Sequence, residues 1–227
     1  MNPSKIRLCD ESFVVFPSSI KTERNRIFRE YKDEIAVFIL PSLKEDFKIE
    51  AYKNSKPLIE YYTSAVSAAF YLIDIMGLPL PEISFETPKG RVEIINTDPG
   101  VFSFKAEKCK LLFSKSEEVR GCSIEFFDFL FLKNFRVLLA KKTDLFSPDV
   151  LPDFSFLGES AASVVAIFSE EGGENLFYSP FNEEITSFIP HLFRAFIFGK
   201  PEPLRSGDTS FAFSFDEVSA SARPTII

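Results

Sequence analysis

An α+β fold is predicted for this 227-residue chain by three features of its sequence. Strand and helix signals run in the order strand, helix, strand twice over, with several hairpins between them. In both halves a strand leads straight into an apolar helix, first at Ile59-Glu60-Tyr61-Tyr62-Thr63-Ser64-Ala65 and later at Leu176-Phe177-Tyr178-Ser179-Pro180-Phe181-Asn182. A tyrosine stands at the same strand-to-helix corner each time. Such a corner leaves unpaired backbone N–H groups converging on one spot, a common way to hold an anion.

Composition narrows the function classes. Apolar residues make up 45% of the chain, with 28 Phe and no Trp, which suits a well-buried globular protein and not a disordered one. The length accommodates one large core or two modest ones. A net charge of −7 argues against a duplex nucleic-acid partner, because phosphate binding needs a concentrated basic face. The densest basic region, Lys21 to Lys32, is interleaved with Glu23 and Glu30 and reads as a solvated helix face. Cys9, Cys109 and Cys122 are odd in number and lack metal-ligand spacing, and His191 is the only histidine, so no zinc site is expected. His191 itself reads as structural or solvated. The opening Met1-Asn2-Pro3-Ser4-Lys5 leads into no apolar signal core and no apolar run reaches membrane-spanning length, so a cytoplasmic, reducing setting without a membrane partner is expected.

In chain order, Ile6–Phe16 reads as the start of a strand pair and Thr22–Glu34 as a charged amphipathic helix. Ile35–Leu40 is a buried strand by its unbroken apolar run; Asp46–Tyr52 alternates like a half-exposed one. Lys53-Asn54-Ser55-Lys56 is a turn into the first corner. There Thr63 or Ser64 is the expected N-cap, and Val66, Ala69, Phe70 and Ile73 form the apolar stripe of the helix. Gly77-Leu78-Pro79 ends it. Strands at Glu82–Glu86, Arg91–Ile95 and Val101–Ala106 follow, joined by turns at Pro88-Lys89-Gly90 and Thr97-Asp98-Pro99-Gly100. The polar segment Ser114–Glu118 is the candidate boundary, giving an N-terminal lobe of residues 1–116 and a C-terminal lobe of 117–217, with a final strand at 218–227 that can pack back on the first lobe.

In the second half, Cys122–Leu132, Phe135–Ala140 and Ala162–Phe168 read as strands. Glu171-Gly172-Gly173-Glu174-Asn175 turns into the second corner. A helix after it would place Ile185, Phe188, Ile189, Leu192, Phe193 and Phe196 on one face, kinked or broken by Pro190. Ser210–Phe215 and Val218–Ile227 read as closing strands.

These segments resemble the diaminopimelate epimerase family in order and spacing over almost the whole chain. Ser12-Phe13-Val14-Val15 is similar to the family's opening strand, and Asp46–Leu72 to its strand, turn and first central helix, with Ala69-Phe70-Tyr71-Leu72 matching well. Phe85-Glu86-Thr87-Pro88-Lys89-Gly90-Arg91-Val92 resembles its hairpin, and Gly173-Glu174 and Ala222-Arg223-Pro224 its later turn and closing strand. The resemblance implies two pseudo-symmetric lobes, each a barrel-like, antiparallel-rich sheet around one central helix. It also implies cofactor-free epimerisation by one cysteine from each lobe.

Against that pattern the chemistry departs. The first cysteine motif reads Tyr62-Thr63-Ser64-Ala65 and the second Phe177-Tyr178-Ser179-Pro180-Phe181. Two substrate-holding asparagines of the family fall on Glu11 and Lys53. Its Gly-Asn-Pro-His motif keeps only Asn134, in Lys133-Asn134-Phe135-Arg136, and its Glu-Arg pair becomes Ser169-Glu170, while Glu174 matches the acid of the final turn. A thiol titrates near 8.5 and a phenol near 10, so tyrosine is a weaker base donor at neutral pH, though still usable. The larger obstacle is size: a phenol is longer than a thiol, and Pro180 has no N–H to offer a carboxylate.

The expectation is therefore a degenerate binding or interaction protein that has lost the two-thiol chemistry. The alternative is a small amino- or hydroxy-acid isomerase, epimerase or dehydratase with Tyr62 or Tyr178 as acid/base. Tyr62 and Tyr178 read equally as packing residues, and Asn134 as a ligand contact or a satisfied strand edge. Ser64, Asn134, Glu174 and Ser179 are the ligand-binding candidates. No cofactor or metal is expected; the implied partner is a small amino-acid-like ligand, with a homodimer or a protein partner left open.

Overall fold

The computed structural model describes residues 3–9, 11–17, 23–58, 60–106, 110–119, 122–131, 135–142, 164–169, 176–178, 184, 186, 204–206, 209–213 and 218–227. Among them lie two sheets and few helices. The first sheet begins with an antiparallel pair, β1 (Ser4–Leu8) and β2 (Glu11–Phe16), followed by helix α1 (Arg24–Glu30) and β3 (Ile35–Leu40). Because α1 carries the chain across the sheet, β2 and β3 run parallel, with Phe13 opposite Ile35 and Phe16 opposite Phe38. Next come β4 (Phe47–Lys53), the short β5 (Lys56–Pro57) and helix α2 (Tyr62–Phe70). β6 (Glu82–Thr87), β7 (Gly90–Asp98) and β8 (Val101–Ala106) then form two successive hairpins.

The end of the chain returns to this sheet. β14 (Leu204–Ser206), β15 (Thr209–Phe213) and β16 (Val218–Ala222) add to it through β16, which pairs antiparallel with β8; β17 (Thr225–Ile226) pairs with β1. The strand order is β14-β15-β16-β8-β7-β6-β4-β3-β2-β1-β17, with β5 beside β4. A second sheet is ordered β13-β12-β11-β10-β9, from β9 (Lys110–Val119), β10 (Cys122–Phe131), β11 (Phe135–Lys142), β12 (Val164–Ser169) and β13 (Leu176–Tyr178).

Side-chain alternation gives the first sheet two apolar faces. One face carries Phe13, Val15, Ile35, Val37, Ile49, Phe85, Ile94 and Phe102, which pack around α2. The sheet curls around that helix as a half-barrel. Every residue of α2 is buried, and Ser64, Ala65, Ser67, Ala68 and Ala69 are small enough to admit strands on several sides. The opposite face carries Val14, Phe16, Ala36 and Phe38, covered by Ile27 and Phe28 of α1.

Several expectations are corrected in detail. The helix expected over Thr22–Glu34 spans only Arg24–Glu30, and the Tyr31 N–H closes its last turn on the Ile27 carbonyl. Its basic face is not all solvated. Arg24 lies over the rings of Phe38 and Tyr52, 4.8 and 5.6 Å from their centroids, and pairs with Glu50 at 2.8 Å. Asn54 and Ser55 adopt φ of 50° and 65°, the double left-handed geometry of a two-residue hairpin turn. Ser114–Glu118 is extended within β9, in the second sheet, and paired with β10. The α2 helix runs on through a π-helical turn, Tyr71–Ile75, before Gly77 at φ 72° stops it. The helix expected over Ile185–Phe196 falls outside the described residues apart from Thr186.

Candidate functional site

The corner at the start of α2 is built by a residue that the sequence reading passed over. Tyr61 takes the N-cap position but provides no side-chain cap, and Thr63 and Ser64, expected as caps, sit inside the first turn. Glu60, just before the cap, does the capping instead. Its Oε2 accepts the backbone N–H groups of Tyr62 at 2.6 Å and Thr63 at 3.4 Å. Its Oε1 accepts the hydroxyl of Thr63 at 2.7 Å and that of Thr186. The carboxyl thus meets donors that the helix would otherwise leave unpaired, and it lies at the positive end of the helix dipole.

Glu60 is 0% exposed. Burial pushes its carboxyl above its ordinary value, against the hydrogen bonds from Thr186, Thr63 and the Tyr62 amide; the nearby charge of Glu11 adds to the push. Where a proton can sit follows from the partners. Oε2 faces two N–H donors and must accept. Oε1 faces two hydroxyls, each able to donate or accept, so it is the oxygen that can take a proton without losing a bond.

Thr186 comes from the other half of the sequence, eight positions beyond Tyr178. The chain around it runs alongside the first corner: Glu184 forms a parallel bridge with Leu58, its N–H donates to the Pro57 carbonyl at 2.8 Å, and its carboxylate lies 3.6 Å from Lys56 Nζ. Glu184 and Thr186 are therefore held directly against the first corner.

Two further polar groups complete the surroundings. Lys53 Nζ donates to Glu11 Oε1 at 2.7 Å, closing an ion pair between the end of β4 and the start of β2. These are the positions that the resemblance aligned with two substrate-holding asparagines, and here they are paired with each other. Ser64 is 0% exposed, and its Oγ has no hydrogen-bond partner among the described residues. Leaving a buried hydroxyl unsatisfied costs about 1–3 kcal/mol, and such groups call for a specific explanation.

Of the residues expected to carry function, Tyr62 is the first residue of α2 and 3% exposed; its ring stacks on Phe104 with centroids 4.9 Å apart and planes 14° from parallel. Tyr178 is the last residue of β13, opposite Val165. Asn134, Glu174 and Ser179 lie outside the described residues. The site residues missed from sequence are Glu60, Thr63 as a side-chain donor, and Thr186. The available signal for the first two was Glu60-Tyr61-Tyr62-Thr63, an acid and a hydroxyl three apart astride a helix start, reversed in order from the usual capping box. Cys9 is buried in the β1–β2 turn, away from α2's own sequence. Among the described residues no group of three or more His, Cys, Asp or Glu could hold a metal ion, and no helix is long and apolar enough to cross a membrane.

No family model matches the sequence, and no curated protein matches it either. Solved structures do share its shape. A predicted epimerase from Pseudomonas aeruginosa superposes with a TM-score of 0.64 at 11% identity, covering 100% of this chain and 97% of that one. A phenazine biosynthesis protein of the PhzF family from Bacillus anthracis gives 0.61 at 9% identity, covering 100% and 97%. A hydroxyproline epimerase from Agrobacterium vitis, solved with bound trans-4-hydroxy-L-proline, gives 0.54 at 12% identity, covering 99% and 90%. At these identities the likeness shows the fold alone. It is the diaminopimelate epimerase-like fold that PhzF-family and racemase-type proteins share.

Proposed function

We propose that this protein is a small-acid isomerase of epimerase type, working at the N-terminal end of α2. The single observation that carries the reading is the Ser64 hydroxyl, fully buried in the first helical turn and without a partner among the described residues. A protein retains an unsatisfied buried hydroxyl at little net cost when a ligand completes its hydrogen bond. Full-length likeness to a predicted epimerase and to a hydroxyproline epimerase supports the reaction class, and the ligand bound to the latter supports a small amino or hydroxy acid as substrate. In this reading Ser64 and Ser179 hold the ligand with Asn134 and Glu174. Tyr178 and Tyr62 are the candidate proton carriers, since neither corner has a thiol.

A second reading is favoured by a different observation. Tyr62 is committed to its stack on Phe104, which makes it a poor proton carrier and fits a protein that binds the ligand without turning it over. One experiment separates the two. The protein is incubated in D2O with a panel of small amino and hydroxy acids, including trans-4-hydroxy-L-proline, and deuterium at the carbon bearing the carboxylate is followed by mass spectrometry. The isomerase reading expects incorporation that Tyr178→Phe abolishes. Binding without incorporation leaves the second reading, and incorporation unchanged by Tyr178→Phe removes that tyrosine from the chemistry.

A further inference from the structure

Among the described residues, Glu184 and Thr186 tie the second half of the sequence to the first corner, and their ties differ in kind. The Glu184 N–H donates to the Pro57 carbonyl at 2.8 Å beside an isolated bridge to Leu58, and its carboxylate lies 3.6 Å from Lys56 Nζ. A lone bridge lacks the neighbouring rungs of a ladder, and an ion pair whose lysine side chain is 45% exposed adds little. Thr186 makes the stronger tie: it is buried, and its hydroxyl bonds Oε1 of the fully buried Glu60. Because Thr186 lies against that oxygen, lifting it away admits water to the carboxyl. The surrounding charges couple the two events. Glu11 of β2 repels an ionised Glu60, while Lys53 of β4 is already paired with Glu11 and Lys56 of β5 with Glu184. The two threonine hydroxyls and the Tyr62 amide favour ionisation, but burial outweighs them and raises the carboxyl above its ordinary value. Cys9, Tyr61 and Tyr62 of the adjoining core bear a thiol and phenols, which ordinarily ionise only above about pH 8.

We propose that the Glu60–Thr186 contact is a proton-operated clasp: it keeps Glu184 and Thr186 on the first corner while the carboxyl is protonated, and it opens locally, with the sheet intact, as the carboxyl ionises. The coupling is one of linkage. With Thr186 lifted, the carboxyl meets water and returns towards its ordinary value of 4.5, whereas under the closed clasp it stays above it. Below that ordinary value both forms are protonated and the clasp holds fully. Each pH unit between the two values then multiplies the open population by up to about tenfold. The clasp needs no ligand, so it goes beyond the isomerase reading and stands whether or not anything is turned over at the corner.

Native-state hydrogen exchange, followed by NMR where closing outruns exchange, tests it. The Glu184 amide reports the clasp through its bond to the Pro57 carbonyl, and the amides of β3, in the middle of the first sheet, report global unfolding. Protection, corrected for the intrinsic rate, is measured from pH 4.5 upwards in wild type and in Glu60→Gln, which keeps the side-chain volume but does not titrate. In wild type the Glu184 amide should be less protected than those of β3, and its protection should fall by up to about tenfold per pH unit. In Glu60→Gln that fall should vanish. Equal protection of Glu184 and β3 at every pH would show that the contact opens only with the whole fold, and would overturn the proposal. A fall that persists in Glu60→Gln, or no fall in wild type, would overturn it equally. If Glu60→Gln does not fold, the threonine carries the test at pH 4.5. There Thr186→Val should lower Glu184 protection by about fivefold or more, and Thr186→Ser, which restores the hydroxyl, should recover most of it. Equal protection in the two threonine variants would overturn the clasp.

Discussion

Glu60 and Thr186, separated by 126 positions, share a hydrogen bond inside the core, and Glu60 is at the same time the cap of the central helix. The start of α2 is therefore held by both halves of the sequence. Removing the distant hydroxyl while keeping the side-chain volume, Thr186→Val, should cost about 1–3 kcal/mol, because it strips a donor from a buried carboxyl. In urea denaturation, a double-mutant cycle with Glu60→Ala should show a coupling of about 0.5–3 kcal/mol. Additive effects would mean that the two residues act independently.

The stability of the protein should fall as Glu60 is driven to ionise. Its ordinary value is 4.5 and burial raises it in the folded state. Below that ordinary value the carboxyl is neutral in both states and its contribution to folding is fully present. Between that value and the raised folded one, the unfolded chain ionises while the buried group stays neutral, so the contribution falls with pH and is gone once pH has risen through the folded value. Glu60→Gln keeps an acceptor for the amides of Tyr62 and Thr63 and offers donors to the threonine hydroxyls, but does not titrate. The melting temperature of wild type minus that of Glu60→Gln should decline as pH rises above 4.5. A difference that is flat with pH would contradict the account.

Ser64→Ala should stabilise the ligand-free protein by about 1–2 kcal/mol, since it removes an unpaired buried hydroxyl and improves helix propensity. The same variant should bind a small-acid ligand more weakly. Chemical denaturation without ligand and calorimetric titration with ligand measure the two effects separately. Destabilisation of the ligand-free variant would show that the hydroxyl already has a structural partner.

Phe104→Ala should cost about 3–5 kcal/mol, the usual loss for emptying a buried aromatic site. The ring faces Tyr62 across 4.9 Å and is 2% exposed, so the loss should appear with a changed near-ultraviolet tyrosine signal. A loss well under that range would mean that Tyr62 relaxes into the space and is free to face the ligand.

Local pattern made much of the first half legible. The unbroken apolar run Ile35–Leu40 could only be a buried strand, and it lies in the middle of the sheet with both faces covered. Val101–Ala106 alternates cleanly after Gly100, whose φ of 71° marks the turn. The α2 region was recognisable from its small and apolar residues. What escaped depended on partners remote in sequence. Glu60, between Ile59 and Tyr61, carries no local sign of its role; its burial comes with Thr186, which no local window contains. Ser114–Glu118 carries the charges of Lys115, Glu117 and Glu118 and gives no local strand signal, yet β10 supplies backbone partners that local composition does not report. The sequence suggested that 218–227 packs back on the first half, and the partners it left unnamed are β8 for β16 and β1 for β17. At the site, the tyrosine corners drew attention from sequence, and the carboxyl beside the first of them organises it.

The central claim is that a small acid binds at the N-terminal end of α2, and amide chemical shifts test it most directly. Titrating isotope-labelled protein with trans-4-hydroxy-L-proline and related small acids should move the backbone amides of Tyr62, Thr63 and Ser64 together and saturably, with Thr186 following. Saturable shifts confined to other parts of the molecule, with those four amides unmoved, would contradict it.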